Sequence, residues 1–355
     1  MSVLARYVIR AILGHTLLVV LVLLALSGLY LFISQQDDIG VGTFGVDDAF
    51  SFALLNLPQY GFDLLPIASL IGALLALGNL ARSLELVVVR TAGVSTMRIA
   101  LWVGTAGLML MAMTAVLGEF VAPPMEQYAR QMRTFEKFRD FSMTGNRSVW
   151  AKDGDTIISV RQQSADNRYG GVYVFKFDER RRLNAMGRAS SASIGADRLW
   201  QLDNYRESVI GPDRVEPVES VRAHLETNLS PEFLGLAVFN PESLPVRGLW
   251  SYIGHLKSNG LDAATYETAL WARIARTVAV AIIVVLAVPF AFGPMRATGT
   301  GARTVVGIMI GVVFFLLARM LESGGAVFDV PPFVIGWAPT VLLALVTTVA
   351  VARVR

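Results

Sequence analysis

The chain has 355 residues, of which 54% are hydrophobic and only 17% are charged, and its net charge is +3. An average soluble domain carries about 25% charged residues, so this composition excludes an ordinary soluble protein and indicates an integral membrane protein. Cysteine is absent, which excludes disulfides, a thiolate nucleophile and a cysteine-ligated metal.

Apolar stretches of about 20 residues recur along the chain, and a helix of that length crosses the roughly 30 Å of hydrocarbon in a bilayer. The stretch 11–33 is too long for the apolar part of a signal peptide and lacks a small-x-small cleavage site, so we expect it to remain as a membrane anchor. Six transmembrane helices are predicted, three before and three after a long polar insert. Their expected bounds are 11–33, 64–81, 99–122, 274–292, 303–322 and 333–352.

The polar segments between these stretches define the predicted domains. Residues 34–63 are expected to form an acidic loop, and Pro123-Pro124 is expected to end the third span. The chain then divides into a membrane part with residues 1–122, an insert with residues 123–273 and a second membrane part with residues 274–355.

The orientation follows from arginine, because short cytoplasmic loops of membrane proteins carry an excess of Lys and Arg. Nine arginines lie at the two termini, between the second and third spans and between the fourth and fifth spans. The short loops on the other side, 34–63 and 323–332, contain no Lys or Arg. Both termini and residues 82–98 are therefore predicted to be cytoplasmic, with residues 123–273 on the opposite, outer side.

The insert begins with a polar helical pattern at 125–138, which continues the third span, and then changes to the alternating pattern of β-strands. Short stretches rich in β-branched and aromatic residues are separated by turn signals such as Asp153-Gly154. An antiparallel sandwich, a jelly roll and an open barrel all fit this spacing. Two helices, 241–260 and 262–275, are expected to lead back to the fourth span. The strands are expected at 148–151, 156–160, 171–177, 189–194, 199–202 and 218–225.

Residues 82–98, which we call the 82–98 segment, form a short stretch with several charged residues between the apolar second and third spans. Leu84, Val87 and Val88 fall on one face of a helix, and Gly93 is a typical helix stop. An amphipathic helix between two spans offers a contact point for a protein outside the membrane.

Motifs of an energy-converting or catalytic site are absent from the sequence. No G-x-x-x-x-G-K-[ST], H-E-x-x-H or G-x-S-x-G pattern occurs, and the three histidines are far apart. The chain is therefore expected to be a non-catalytic membrane subunit that a separate ATPase drives, with no cofactor or metal of its own. The alternative is a membrane sensor or scaffold whose outer domain binds a ligand.

Charged residues inside the predicted spans mark positions where the chain meets a partner charge or a polar cavity, because an unpaired charge in a bilayer is costly. Arg319 and Glu322 are three residues apart on one helical face and are expected to pair. They either reach the outer interface as ordinary snorkelling side chains or face a transported substrate, and the sequence leaves both interpretations open. Glu119, near the outer end of the third span, has the same two interpretations.

Five motifs are spread in order over nearly the whole chain. They are Leu77-Gly78-x-Leu80-Ala81-Arg82-Ser83-x-Glu85-Leu86-Val87-Val88-x-x-x-Ala92-Gly93, Gly118-Glu119-x-Val121-Ala122-Pro123, Trp150-Ala151-Lys152-Asp153-Gly154, Leu270-Trp271-Ala272-Arg273 and Phe292-Gly293-Pro294-x-Arg296. Together they resemble the LptF/LptG permease family, the membrane subunits of the ABC transporter that exports lipopolysaccharide. The first and third motifs favour the LptG branch of that family, and the LptF branch is the alternative.

The resemblance implies a permease subunit that extracts lipopolysaccharide from the bacterial inner membrane and passes it to a periplasmic bridge of β-jelly-roll proteins. The implied fold is α-helical with six transmembrane helices plus an inserted periplasmic antiparallel β-jelly-roll domain. The implied partners are an LptF-like paralogue, an LptB-like ATPase dimer that holds the ATP and Mg²⁺, LptC- and LptA-like jelly-roll proteins, lipopolysaccharide and membrane lipids.

The resemblance also implies two sets of functional residues. One is a coupling helix that contacts the ATPase, and the other is the lining of the substrate cavity and its lateral gates on the first and fifth spans. The coupling residues are Arg82, Glu85, Leu86, Val87, Arg90 and Gly93. The substrate and gate residues are Leu26, Tyr30, Phe314, Arg319 and Glu322, with Arg133 as a further candidate.

The chain departs from the family at the outer end of the first span. Relatives carry lysines there that suit the phosphates of the lipid, whereas this chain has Leu31, Asp37 and Asp38. The phosphates are therefore expected to meet other basic residues, unless the lipid carries different groups or divalent cations bridge acidic ones. The candidates for that contact are Arg133, Arg139 and Arg319.

Overall fold

The computed structural model describes residues 3–138, 149–163, 168–178, 180, 182–194, 199–211, 214–226, 241–292, 300–324 and 330–353. Arg139 and residues 293–299, which belong to the loop expected between the fourth and fifth spans, lie outside these ranges. The described helices are α1 (Val3–Ile33), α2 (Val46–Arg82), α3 (Glu85–Thr91), α4 (Thr96–Val116), α5 (Ala122–Phe138), α6 (Val246–Ser258), α7 (Ala264–Phe292), α8 (Thr300–Gly324) and α9 (Pro332–Ala352).

The chain divides into two compact units. A helical unit comprises Met1–Lys137, Pro241–Trp250 and Ala264–Arg355, and a sheet unit comprises Phe138–Asn240 and Ser251–Ala263. Helices α5 and α7 run without a break across residues 122–123 and 273–274, the two limits expected for the insert. Where the membrane ends along these two helices stays a prediction.

Five stretches within the described residues are long and apolar enough to cross a membrane. Each of them contains one of the predicted spans, so five of the six expected spans are confirmed as helices of the required length and hydropathy. The fifth expected span coincides with α8, and its crossing of the membrane stays a prediction. The five stretches are Val3–Asp38, Val46–Arg82, Thr96–Arg133, Ala264–Phe292 and Pro332–Ala352.

The prediction of a loop over 34–63 is wrong from residue 46 onward, because α2 begins at Val46 and continues past Pro58 and Pro66 to Arg82. Of the acidic residues in that stretch, Asp47 and Asp48 lie in the first turn of α2. There the Asp48 carboxylate accepts the backbone N–H of Gly45 at 2.9 Å. A carboxylate at this end of a helix is stabilising, since the helix dipole is positive there.

The helix continues through Pro123-Pro124, as the helical pattern at 125–138 predicted, and the end of the membrane span at these prolines stays a prediction. A π-helical turn, Leu117–Val121, joins α4 to α5, and both prolines lie in the first turn of α5. Proline is tolerated at the start of a helix, where a backbone N–H needs no intrahelical partner. The predicted helix over 125–138 is confirmed as part of α5.

The core of the helical unit lies where α1, α2, α4 and α7 meet, around side chains such as Ile12, Leu77, Val103 and Ile283. Close approach of α1 and α2 requires glycine at position 72, because a Cβ there would overlap the backbone of Thr16. Small residues at helix crossings allow this kind of packing in membrane proteins.

The sheet unit contains six strands that pair antiparallel in sequence order. All six stretches expected from the alternating pattern are confirmed, most of them longer than expected. Residues on one face, including Ile158, Val172, Trp200 and Leu202, form its core. The sheet confirms the antiparallel β insert, and the jelly roll stays a prediction. The strands are β1 (Val149–Asp153), β2 (Thr156–Gln163), β3 (Arg168–Phe177), β4 (Leu183–Ile194), β5 (Leu199–Ile210) and β6 (Val215–Glu226).

The two helices expected over 241–260 and 262–275 are present with different limits. A 3-10 turn, Pro241–Ser243, precedes α6, and the second expected helix is the beginning of α7. That helix continues into the fourth span, because nothing between residues 264 and 292 except Pro289 interrupts the helical pattern.

Candidate functional site

The 82–98 segment folds into a short helix with a defined turn on each side. Leu84 has a positive φ of 62° and redirects the chain between α2 and α3. After α3, Gly93 has a φ of 87°, and the N–H groups of Gly93 and Val94 donate to the carbonyls of Arg90 and Val89. This pair of hydrogen bonds is the Schellman motif, so the predicted role of Gly93 as the helix stop is confirmed.

Helix α3 presents apolar side chains in two directions. Leu86 is only 3% exposed, and Val89 packs against the core of the helical unit. Leu84 and Val88 point the other way, and Val88 is 64% exposed. The face expected from the sequence is therefore the exposed one, whereas burial of Leu86 fixes the helix to its own bundle.

Two charged residues of the 82–98 segment, Glu85 and Arg90, have contacts within the chain. The hydroxyls of Tyr7 and Ser83 hydrogen-bond to the Glu85 carboxylate and hold its pKa below the usual range. The Arg90 guanidinium lies 5.8 Å from the centre of the Phe292 ring. Glu85 is at the start of α3 and Arg90 is in its last turn. Both charges are favourable there, because each is opposite in sign to the partial charge at that end of the helix. Arg82 and Arg90 are exposed.

The expected substrate and gate residues fall on two helices. Leu26 and Tyr30 lie on α1 with exposed side chains. Phe314, Arg319 and Glu322 lie together on α8, and the predicted pairing of Arg319 with Glu322 is present at 3.5 Å. Phe314 and Arg319 also line a narrow pocket beside α2 and α7.

Arg276 on α7 joins three helices beside this pocket. Its Nη1 lies 2.9 Å from Oδ1 of Asp63 on α2, and its Nη2 lies 2.8 and 3.0 Å from the two oxygens of Glu322 on α8. Sequence reasoning missed Arg276 and Asp63. A signal for Arg276 was present, since an arginine inside an expected span needs a partner. Asp63 had been placed in the supposed loop.

The carboxylate of Glu242, in the 3-10 turn before α6, adds a second partner for Arg319. Its Oε2 lies 2.8 Å from Nη2 of Arg319. Buried Arg273 on α7 donates from Nη1 to the backbone carbonyl of Glu242 at 2.9 Å, and from Nη2 to the carbonyl of Gly118. We call Asp63, Glu242, Arg276, Arg319 and Glu322 the arginine–carboxylate cluster.

Glu119 and Arg133 both have structural partners. Glu119 accepts the N–H groups of Val246 and Arg247 at 2.8 and 3.3 Å, so its carboxylate caps α6. Arg133 donates through Nε to Oδ2 of Asp38 at 3.0 Å. The acidic turn after α1 is thus tied to α5, and Asp38 already neutralises the guanidinium that was a candidate for the lipid phosphates.

The sequence is similar to known proteins along almost its whole length. The family model for the lipopolysaccharide export system permease LptF/LptG matches residues 6–353. LptG, the lipopolysaccharide export system permease protein of Escherichia coli K12, is 32% identical over 348 residues, which cover 98% of this chain and 97% of that protein. LptG of Haemophilus influenzae Rd is 32% identical over 355 residues, which cover 100% of this chain and 99% of the relative. The similarity therefore includes both the helical and the sheet units.

Proposed function

Since the chain belongs to the LptF/LptG family of lipopolysaccharide export system permeases, we propose that it extracts lipopolysaccharide from the inner membrane and passes it to a periplasmic β-jelly-roll bridge. The match over residues 6–353 carries this proposal. The chain is a permease of the export system, and the LptF alternative is not favoured because the relatives described above are LptG.

The proposed topology has six transmembrane helices, with both termini in the cytoplasm and residues 123–273 in the periplasm. The excess of arginine in alternate short loops supports this orientation. The sixth crossing is α8, which has the length of a span with 25 residues. The inserted sheet would be the jelly-roll part of this chain and would contact LptC- and LptA-like proteins that carry the lipid outward.

The proposed energy source is a dimer of an LptB-like ATPase, which would hold the ATP and Mg²⁺, since this chain carries no nucleotide-binding motif. An LptF-like paralogue would complete the membrane part. The docking surface would be the exposed face of α3, with Leu84, Val87 and Val88 as the apolar contact and Arg82, Glu85 and Arg90 at its edge. Leu86 and Gly93 would keep that helix in place. An apolar side chain as exposed as Val88 is what a docking surface needs.

The proposed substrate and gate residues are Phe314, Arg319 and Glu322 on α8, together with Leu26 and Tyr30 on α1. Arg319 is the favoured contact for a lipid phosphate because its guanidinium is half-exposed beside an apolar pocket. Arg133 is less favoured, since it is paired with Asp38.

The docking proposal is tested by Val88→Asp. Placing a charge in the centre of an apolar contact is expected to lower the amount of ATPase that copurifies with the chain from membranes by about tenfold or more, since a buried unpaired charge weakens an interface strongly. Val221→Asp, at an exposed valine of β6, is the matched control and should copurify the ATPase normally. If Val88→Asp, expressed at the wild-type level, copurified as much ATPase as the wild type, α3 would not be the docking surface.

A further inference from the structure

Arg319 lies between two carboxylates that differ in exposure. Glu242 is 58% exposed and Glu322 only 13%. An ion pair between exposed side chains is weak, because water and salt screen it. Of the two partners, Glu242 is therefore the one that can leave Arg319 easily.

Glu322 is held in place from the other side. Both of its oxygens accept from Arg276, at 2.8 and 3.0 Å, and Arg276 is held in turn by Asp63 at 2.9 Å. These three side chains come from α7, α8 and α2. Loss of one partner from a buried group of this kind is costly, so Glu322 remains beside Arg319 when Glu242 departs.

The backbone around Glu242 does not depend on the Glu242 side chain. Arg273 donates to the carbonyl of Glu242 at 2.9 Å, and the N–H of Leu244 donates to the carbonyl of Pro241 at 3.3 Å. The carboxylate can therefore rotate away from Arg319 while the 3-10 turn keeps its shape.

We propose that Glu242 is a built-in competitor for the substrate phosphate. Its carboxylate occupies Arg319 while no substrate is bound, and a phosphate monoester on a lipid displaces it, with Arg276 and Glu322 as positioning residues that keep Arg319 in place. The inference rests on the proposed role of Arg319 as a substrate contact. The apolar wall beside the guanidinium, formed by Pro66, Ile67, Phe314 and Phe315, suits the hydrocarbon part of such a lipid.

This competition favours one class of lipid over another. A phosphate monoester carries a charge of about −1.5 to −2 near pH 7 and offers three acceptor oxygens to a guanidinium. A phospholipid phosphodiester carries a single charge and competes less well with a carboxylate. Glu242 would therefore keep Arg319 from binding bulk phospholipid.

The test uses the full transporter complex in nanodiscs, with a photoreactive residue at position 318 in the wall of the pocket. The probes are lipopolysaccharide with its phosphate monoesters and the same lipid after phosphatase treatment, and crosslinking is followed against probe concentration without ATP. Glu242→Gln should lower the half-saturating concentration of the phosphorylated probe by about two- to fivefold, the range that one exposed ion pair supports. The dephosphorylated probe should show no change.

Two controls isolate the charge of Glu242. Glu216→Gln removes a carboxylate that is 57% exposed and paired with Arg214, so it changes the net charge equally at a distant site and should have no effect. In an Arg319→Gln background, Glu242→Gln should also have no effect. Inorganic phosphate at millimolar concentration should not compete, since it lacks the hydrocarbon part, and effective competition would assign the site to a soluble anion and overturn the lipid assignment.

The outcomes separate this inference from the proposed function. If Arg319→Gln weakens binding of the phosphorylated probe while Glu242→Gln leaves it unchanged, the competitor role is wrong and the substrate contact stands. If Arg319→Gln leaves binding of the phosphorylated probe unchanged, the competitor role of Glu242 and the substrate contact of Arg319 are both wrong. Glu322→Gln tests the positioning role, and it should reduce the preference for the phosphorylated over the dephosphorylated probe by about threefold. An unchanged preference would remove Glu322 from the proposal.

Discussion

Arg276 connects three helices of the helical unit, because its guanidinium on α7 bridges a carboxylate on α2 and another on α8. The three partners Asp63, Arg276 and Glu322 are mostly buried. A buried ion pair adds little net stability compared with an apolar pair, but removal of one partner leaves a charge without compensation. The cluster therefore specifies how α2, α7 and α8 meet.

Replacement of this arginine tests that role. Arg276→Met would leave Asp63 and Glu322 without their shared cation and is expected to destabilise the protein by about 3 kcal/mol. Arg276→Met combined with Glu322→Met and Asp63→Asn should recover part of that loss, because the two carboxylates that Arg276 neutralised are gone. Thermal unfolding of the purified variants in detergent measures both effects, and a single Met variant as stable as the wild type would contradict the account.

Glu85 gives a prediction about pH. Hydrogen bonds from Tyr7 and Ser83 lower its pKa in the folded chain, so its stabilising contribution is complete above the ordinary pKa near 4.5 and is lost as the pH falls through the lower, folded-state value. Glu85 therefore stays ionised from about pH 8 to pH 5.5 and should cause no change in the amount of ATPase that copurifies over this range. A fall of ATPase binding between pH 7 and pH 6 that is absent in Glu85→Gln would contradict this.

At the scale of elements, the sequence predicted those parts whose signal is local. Alternation located all six strands, and Gly93 marked the end of α3 because only a residue that tolerates positive φ closes a Schellman motif easily. The main error came from a signal with two meanings: Asp48 lies in the first turn of a helix here, although acidic residues also mark loops. The arginine–carboxylate cluster was mostly missed, because its members are far apart in sequence and only packing brings them together.

The contact between α2 and α8 can be tested with a disulfide, since the chain has no cysteine of its own. A Cβ at Gly311 would lie 3.8 Å from the Cβ of Ile67, which is the usual separation in a disulfide. Ile67→Cys with Gly311→Cys should crosslink under mild oxidation. If α8 is a moving gate, the oxidised variant should lose most lipopolysaccharide export and regain it on reduction.

The single-cysteine variants serve as controls for that experiment. Ile67→Cys and Gly311→Cys alone should each export equally under oxidising and reducing conditions, because neither variant can form the disulfide. Full export by a quantitatively crosslinked double variant would show that α2 and α8 need not separate, and the gate assignment of α8 would then be wrong.

At the scale of the whole molecule, the chain combines two units with separate cores, and its similarity to lipopolysaccharide export permeases spans both. The helical unit contains both the exposed face of α3 and the arginine–carboxylate cluster, whose members lie on α2, α7, α8 and the 3-10 turn before α6. A permease driven from outside the membrane needs both a docking surface and a substrate contact. In the proposed function, α3 receives the energy input and α8 binds the lipid.

The most direct test of the proposed function is photocrosslinking of lipopolysaccharide in proteoliposomes that contain the chain with its partner subunits. Photoreactive residues at position 318 on α8 and at position 160 on the packed face of the sheet report the two ends of the proposed path. Without ATP, adducts should form at position 318, and with ATP they should fall there and rise at position 160. Equal adducts with and without ATP, or none at position 318, would contradict the claim that this chain extracts lipopolysaccharide by way of α8.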